Sequence, residues 1–251
     1  MPRFFVKTEQ IQNETITILG EDVKHIKNVL RKDKGDKIEI CNQENGKTYN
    51  CQINNIGNNS IIAKIIEQIE EQEDKIKIDI YQGLPKADKM ELIIQKSVEL
   101  GANAIIPVVM KRCVVKIDSK DETKKIVRWQ KIAESAAKQS GRNEIPEIRH
   151  IATIEKISNL IINEYDCLIV AYENEKNNTI KKELLKLKEI LQEKGKINIA
   201  LLIGPEGGLE EKDVELLKQS GAKIVTLGNR ILRTETVALN MLSVIRYELE
   251  T

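Results

Sequence analysis

Two short stretches near the C-terminal end combine glycine with charged side chains where apolar runs stop. The first is Gly204-Pro205-Glu206-Gly207-Gly208, directly after the apolar Leu201–Ile203. The second, Gly228-Asn229-Arg230-Ile231-Leu232-Arg233, follows Lys223–Leu227 and runs at once into Thr234-Glu235-Thr236. Glycine admits φ > 0 and lets backbone approach a ligand closely. Such loops suit a pocket made mainly of main-chain N–H and C=O groups. In open α/β sheets, ligands collect at these carboxyl ends of strands. A turn that merely ends a strand is the plain alternative for the first stretch. In the second, Thr234 as a cap and Glu235 beside a helix start both have structural accounts. Arg230 and Arg233 do not, because positive charge just before a helix start opposes the dipole. A local cost without structural return points to a functional site or an anionic contact.

Other chemistries lack material. The chain has no GxxxxGK[ST], no GxGxxG after its first α/β strand and no GxSxG elbow. His25 and His150 are the only histidines, too few for a histidine-based triad or a metal site, and each reads better as a surface group. Cys41, Cys51, Cys113 and Cys167 are scattered without a CxxC pair, which argues against a zinc knuckle or redox dithiol. No metal is expected.

The elements that must position the two loops follow from periodicity. Composition is that of an ordinary globular chain, 41% hydrophobic and 31% charged, with only 3% aromatics, so the core must be aliphatic. Residues 1–72 read as short strands (Arg3–Lys7, Thr15–Leu19, Lys37–Cys41, Lys47–Ile56, Ser60–Ile69) with a hairpin signal at Asn45-Gly46 and one helix over Asp22–Leu30. That density of strands suggests a barrel. The charged Glu67–Lys75 marks a boundary, placing domains at 1–72 and 73–251. Beyond it, strands at Ile76–Gln82, Ala104–Met110, Cys167–Ala171, Ile197–Ile203 and Lys223–Leu227 alternate with helices, the pattern of a mostly parallel α/β sheet. No apolar run approaches a membrane span, and the start MPRFFVKTEQ lacks a signal peptide, so a cytoplasmic protein without a membrane partner is expected. Net charge is only +1, so an acidic partner must be met by a local patch.

At this point the chain resembles a known family. Ile203–Gly208 (IGPEGG) and Leu227–Thr236 (LGNRILRTET) look like the two signatures of the bacterial ribosomal RNA small subunit methyltransferase E family, of the SPOUT superfamily. Lys89–Pro107, Arg128–Pro146, Arg3–Phe5 and His25–Arg31 match as well, so the resemblance covers nearly the whole chain. The one departure noted is Ser97-Val98 before Glu99, where the family usually has threonine. The resemblance implies an N-terminal PUA-like β-barrel that binds RNA and a C-terminal SPOUT-type α/β domain whose chain end forms a trefoil knot. It further implies S-adenosyl-L-methionine as methyl donor, a homodimer, and 16S ribosomal RNA of the small ribosomal subunit as partner. The implied reaction is methylation of N3 of one uridine in the decoding region.

Under that resemblance, Leu202, Ile203, Gly204, Pro205, Glu206, Gly207 and Gly208, with Leu227, Gly228, Asn229, Ile231, Leu232, Arg233 and Thr234, would hold the cofactor. Uridine N3 must lose a proton to become a nucleophile. Glu206 or Glu235 could take it, and Arg233 or Arg142 could stabilise the anion. Arg3, Lys24, Lys27, Arg31, Lys32, Arg112 and Arg142 could touch RNA phosphates, against the plainer reading of a solvated lysine-rich face. Two other readings stay open at this stage: a different RNA target (a ribose 2′-hydroxyl or another base) and a non-catalytic RNA-binding ribosome-assembly factor.

Overall fold

The computed structural model describes residues 3–70 and 73–250; for Ser119 and residues 160–163 it describes the backbone alone. The chain divides into two compact units, Met1–Glu73 with Ala137–Ile145, and Asp74–Ala136 with Pro146–Thr251. The boundary expected at 72/73 falls partly on residues 71–72, which lie outside the described residues.

The first unit is a six-stranded sheet. Its strands are β1 (Arg3–Val6), β2 (Ile11–Gln12), β3 (Thr15–Leu19), β4 (Lys37–Asn42), β5 (Thr48–Ile56) and β6 (Ser60–Ile69), in the order β1-β4-β5-β6-β3-β2. Every pairing is antiparallel except β1 with β4. Alternate residues point to one side: Phe4 and Val6, Ile16 and Ile18, Ile38 and Ile40, Cys51 and Ile53, Ile61 and Ala63 all join a single buried cluster. Five strands can share one cluster only if the sheet curls around it, which gives the expected barrel-like form. The hairpin at Asn45-Gly46 closes through Gly46 N–H to Asn42 O at 2.8 Å, with Gly46 at φ +68°. The helix expected over Asp22–Leu30 differs. A short α1 (Glu21–Lys24) passes into a π-helical turn, His25–Val29, with Arg31 beyond it at φ +50°. The wider turn keeps Val23 and Ile26 buried in the barrel cluster while the lysines stay outside. Residues 137–145 pack on this barrel, with Lys138 Nζ 2.9 Å from Asp22.

The second unit holds a seven-stranded parallel sheet: β7 (Ile76–Gly83), β8 (Ala104–Val109), β9 (Glu147–Ile148), β10 (Ala152–Thr153), β11 (Cys167–Ala171), β12 (Ile197–Ile203) and β13 (Lys223–Val225). The order is β10-β8-β7-β12-β11-β13, with β9 also on β8. Of its helices, α2 (Lys89–Glu99), α5 (Ile180–Lys194) and α7 (Thr234–Glu250) pack together on one face. On the other, α4 (Ile154–Glu164) and α6 (Glu211–Gln219) cover Tyr81, Leu168, Val170, Ala200 and Leu202. The long helix α3 (Ser119–Ser140) carries the only tryptophan, Trp129, which is buried. β10 is too short to show in the sequence, and β13 stops at Val225 although Thr226 still bridges Thr179. Burial pushes the Cys51 thiol up to about 12 and the Cys167 thiol up to about 11, so both stay protonated and inert.

Near the start of the sheet, the buried Asp79 carboxylate accepts from Asn103 Nδ2 at 2.7 Å and Tyr165 O–H at 2.8 Å, and lies 3.1 Å from Arg149 Nη1. Removing one partner of a buried charge pair leaves the other uncompensated. Asp79→Ala should therefore cost about 3 kcal/mol, the low end for such pairs because Arg149 is partly exposed. Urea unfolding followed by Trp129 fluorescence checks this, and a loss below ~0.5 kcal/mol would contradict it.

Candidate active site

β11 and β12 are hydrogen-bonded neighbours, and β13 flanks β11 on its other side. Their C-terminal ends therefore open side by side. The loops that leave them, residues 171–179, 203–209 and 226–234, line one cavity of about 860 Å³, joined by Lys89 and Val237. Of the residues expected at a cofactor site, Leu202 is buried within β12; Ile203–Gly208, Leu227–Asn229 and Ile231–Thr234 all line the cavity. Arg230 lines it too.

Each wall has a physical cause. Gly83 ends β7, and a Cβ there would stand 2.6 Å from Pro205 N, so only glycine lets the loop after β12 lie against that strand. Pro205–Gly208 is a tight turn closed by Gly208 N–H to Pro205 O at 2.9 Å, with Gly208 at φ +70°. Arg112 Nη1 donates to Gly207 O at 3.0 Å, which engages part of a side chain expected to meet RNA. Thr234 does not cap α7 as expected. Its hydroxyl donates to Gly204 O at 2.7 Å and accepts from Gln82 Nε2 at 2.9 Å, so it ties the two signature loops together. The loop after β11 is zipped to β13 by Tyr172 N–H to Val225 O at 3.0 Å and Thr226 N–H to Asn178 O at 2.8 Å.

The charged groups form a defined cluster. Lys89 Nζ lies 3.0 Å from Glu206 Oε1 and 3.4 Å from Glu235 Oε2. Glu206 also accepts the Lys86 N–H at 3.1 Å. Burial alone would raise the Glu206 carboxyl, but its own backbone N–H, Lys89 and the Lys86 N–H outweigh that and hold it below the ordinary range. The Glu235 Oε2 atom is buried and, apart from the Lys89 ammonium at 3.4 Å, meets no hydrogen-bond partner among the described residues. Arg233 is exposed at the cavity's rim. Arg142 belongs to the segment that packs with the first unit, its N–H donating to Ala137 O. In that unit, Lys24 and Arg31 are exposed and Lys32 is half-buried. Lys27 Nζ donates to Gly57 O at 3.1 Å, and Arg3 is held by Glu39 at 3.0 Å.

Sequence reasoning missed Lys89 and the whole loop of residues 172–179. That loop also leaves a parallel strand at its carboxyl end, but its place beside the glycine loop depends on strand order, which no local pattern reveals.

An RNA methyltransferase domain model matches residues 72–246, and an RNA methyltransferase PUA domain model matches residues 18–66. A Bacillus subtilis protein named ribosomal RNA small subunit methyltransferase E is 40% identical over all of this chain and 98% of its own length. The chain belongs to the ribosomal RNA small subunit methyltransferase E family. The Mesomycoplasma hyopneumoniae family member is 35% identical, with 97% of this chain and 98% of that protein covered. The crystal structure of the Neisseria gonorrhoeae family member bound to S-adenosyl methionine is 29% identical and superposes with TM-score 0.83 over 98% of this chain and 97% of that one. Family membership and the parallel sheet agree with the α/β fold class and PUA-like barrel expected above. No helix among the described residues is long and apolar enough to cross a membrane.

Lys89→Met should weaken the restraint on Glu206. A carboxyl whose folded proton affinity is depressed adds stability above its unfolded pKa, and that stability is lost as pH falls through the lower folded value. The melting temperature of wild type should exceed that of Lys89→Met most at neutral pH, with the gap closing as acid protonates Glu206. A gap that widens in acid would contradict the assignment.

Proposed function

We propose that the chain methylates N3 of one uridine in the decoding region of 16S ribosomal RNA, using S-adenosyl-L-methionine. The observation that carries this reading is the convergence of both glycine loops on one cavity beside the Glu206–Lys89–Glu235 cluster. A volume of about 860 Å³ is in the range of small-molecule sites. The glycine-rich wall favours a ligand held by main-chain groups, as an adenosine with its attached amino acid would be. Backbone atoms of 203–208 and 227–232 would hold it. When bound, this donor supplies an electrophilic methyl group on a sulfonium.

The chain's own residues then orient the base and manage one proton, a task in which positioning supplies most of the gain. Glu206 is the weaker base of the two candidates, because its carboxylate is already engaged by Lys86 N–H and Lys89. Glu235, held among the described residues by Lys89 alone and at the longer distance of 3.4 Å, takes the N3 proton in this reading. Arg233 stabilises the uridine anion from the rim. Lys24, Arg31 and Lys32 contact phosphates on the barrel side, with Arg142, Lys27, Arg3 and Arg112 as further contacts. The same reading includes a trefoil-knotted chain end, a homodimer and a cytoplasmic setting.

Arg233→Ala should lower turnover on small subunits by roughly 100-fold, as loss of one oxyanion-type donor does, while donor affinity changes by less than about twofold. Single-turnover kinetics with calorimetry separates the two quantities. Mass mapping of 16S ribosomal RNA from a deletion strain checks the target: 3-methyluridine should vanish, and its persistence would exclude this reading.

A further inference from the structure

Four carboxylates stand at or beside the cavity, and three have tasks already. Glu206 and Glu235 share Lys89. Glu175 accepts the N–H groups of Lys176, Asn177 and Asn178 at 3.0, 2.8 and 3.0 Å, which folds its own loop. Glu173 is the exception. It lines the cavity, is exposed, and engages no hydrogen bond or ion pair among the described residues. Its Oε1 lies against the glycine turn, 2.5 Å from where a Cβ on Gly208 would stand. The lack of a side chain at Gly208 thus leaves room for a carboxylate with both oxygens unspent.

The topology gives that carboxylate a specific outlook. β11 and β12 run parallel in register, Val170 beside Leu202. Glu173 lies two residues past the end of β11, and the glycine turn begins directly after β12. A carboxylate past the end of one parallel strand, facing a glycine turn at the end of its neighbour, can accept two vicinal hydroxyls bidentately. Nucleotide-binding α/β sheets use the same arrangement on a ribose. We propose that Glu173 accepts the ribose cis-diol of the bound nucleoside and so makes the site selective for ribose over 2′-deoxyribose. This rests on the reading that the cavity holds S-adenosyl-L-methionine. It adds a residue outside both signature loops.

The test is calorimetric and needs no turnover. The full chain is titrated with S-adenosyl-L-homocysteine and with its 2′-deoxyribose counterpart. Wild type should prefer the ribose form by at least about tenfold, the factor for one hydrogen bond to a charged group. Glu173→Ala should lose both hydroxyl contacts for the ribose form but only the 3′ contact for the deoxy form, so the ribose form weakens by about tenfold more than the deoxy form and the preference collapses. Glu173→Gln, which keeps one acceptor oxygen, should fall between. An equal loss for both ligands, or no loss, overturns the role of Glu173 while leaving the cavity assignment intact. If wild type binds neither ligand, the cavity assignment itself fails, and this proposal with it.

Discussion

A single buried hydroxyl sets the geometry on which the site depends. Thr234 Oγ1 spends its one proton on Gly204 O and accepts from Gln82, so the end of β7, the loop after β12 and the start of α7 meet at one atom. Each partner is buried or half-buried, and a buried carbonyl left unpaired costs about 1–3 kcal/mol. The contact therefore holds two loops that are far apart in sequence at a fixed separation. Gly83 makes it possible, because any side chain there would push Pro205 and its loop off the strand. The cavity is thus walled by a parallel sheet whose strands fix the loop origins, and by one hydroxyl that fixes their spacing.

Charge is arranged on that frame. Lys89 opens α2 and faces one carboxylate from the loop after β12 and one from the first turn of α7, which ties a third segment to the same edge. The two glutamates differ in what is left to them. Glu206 is spent on main-chain N–H and ammonium contacts, which suits a residue that fixes its loop and lowers its value as a proton acceptor. Glu235 meets only the Lys89 ammonium among the described residues, at 3.4 Å. Arg230 and Arg233 stay exposed before the helix start, where they oppose the α7 dipole and keep their charge available at the rim.

Much of this was legible in the sequence, and the exceptions have physical reasons. The spans of β11 and β12 could be read directly because they are apolar runs bounded by polar residues and glycine. Both glycine loops could be located because glycine, proline and charge interrupt those runs. Strand order could not be read, since β11 lies between β12 and β13 only in three dimensions, and so residues 172–179 and Lys89 escaped notice. Thr234 looked like a cap because threonine at a helix start usually is one; its tertiary partner Gln82 is 152 positions away. The π-turn at His25–Val29 was hidden for a different reason: Val23, Ile26, Val29 and Leu30 fit ordinary helical spacing, and only the packing of the barrel reveals the wider turn.

The central claim is that the two signature loops act together as the walls of one methyl-donor site. Backbone hydrogen–deuterium exchange with and without saturating S-adenosyl-L-methionine addresses it directly. Amides of residues 203–209 and 226–233 should gain protection together, by a similar factor, while the barrel strands do not change. Protection confined to one loop, or appearing elsewhere in the chain, would contradict the account.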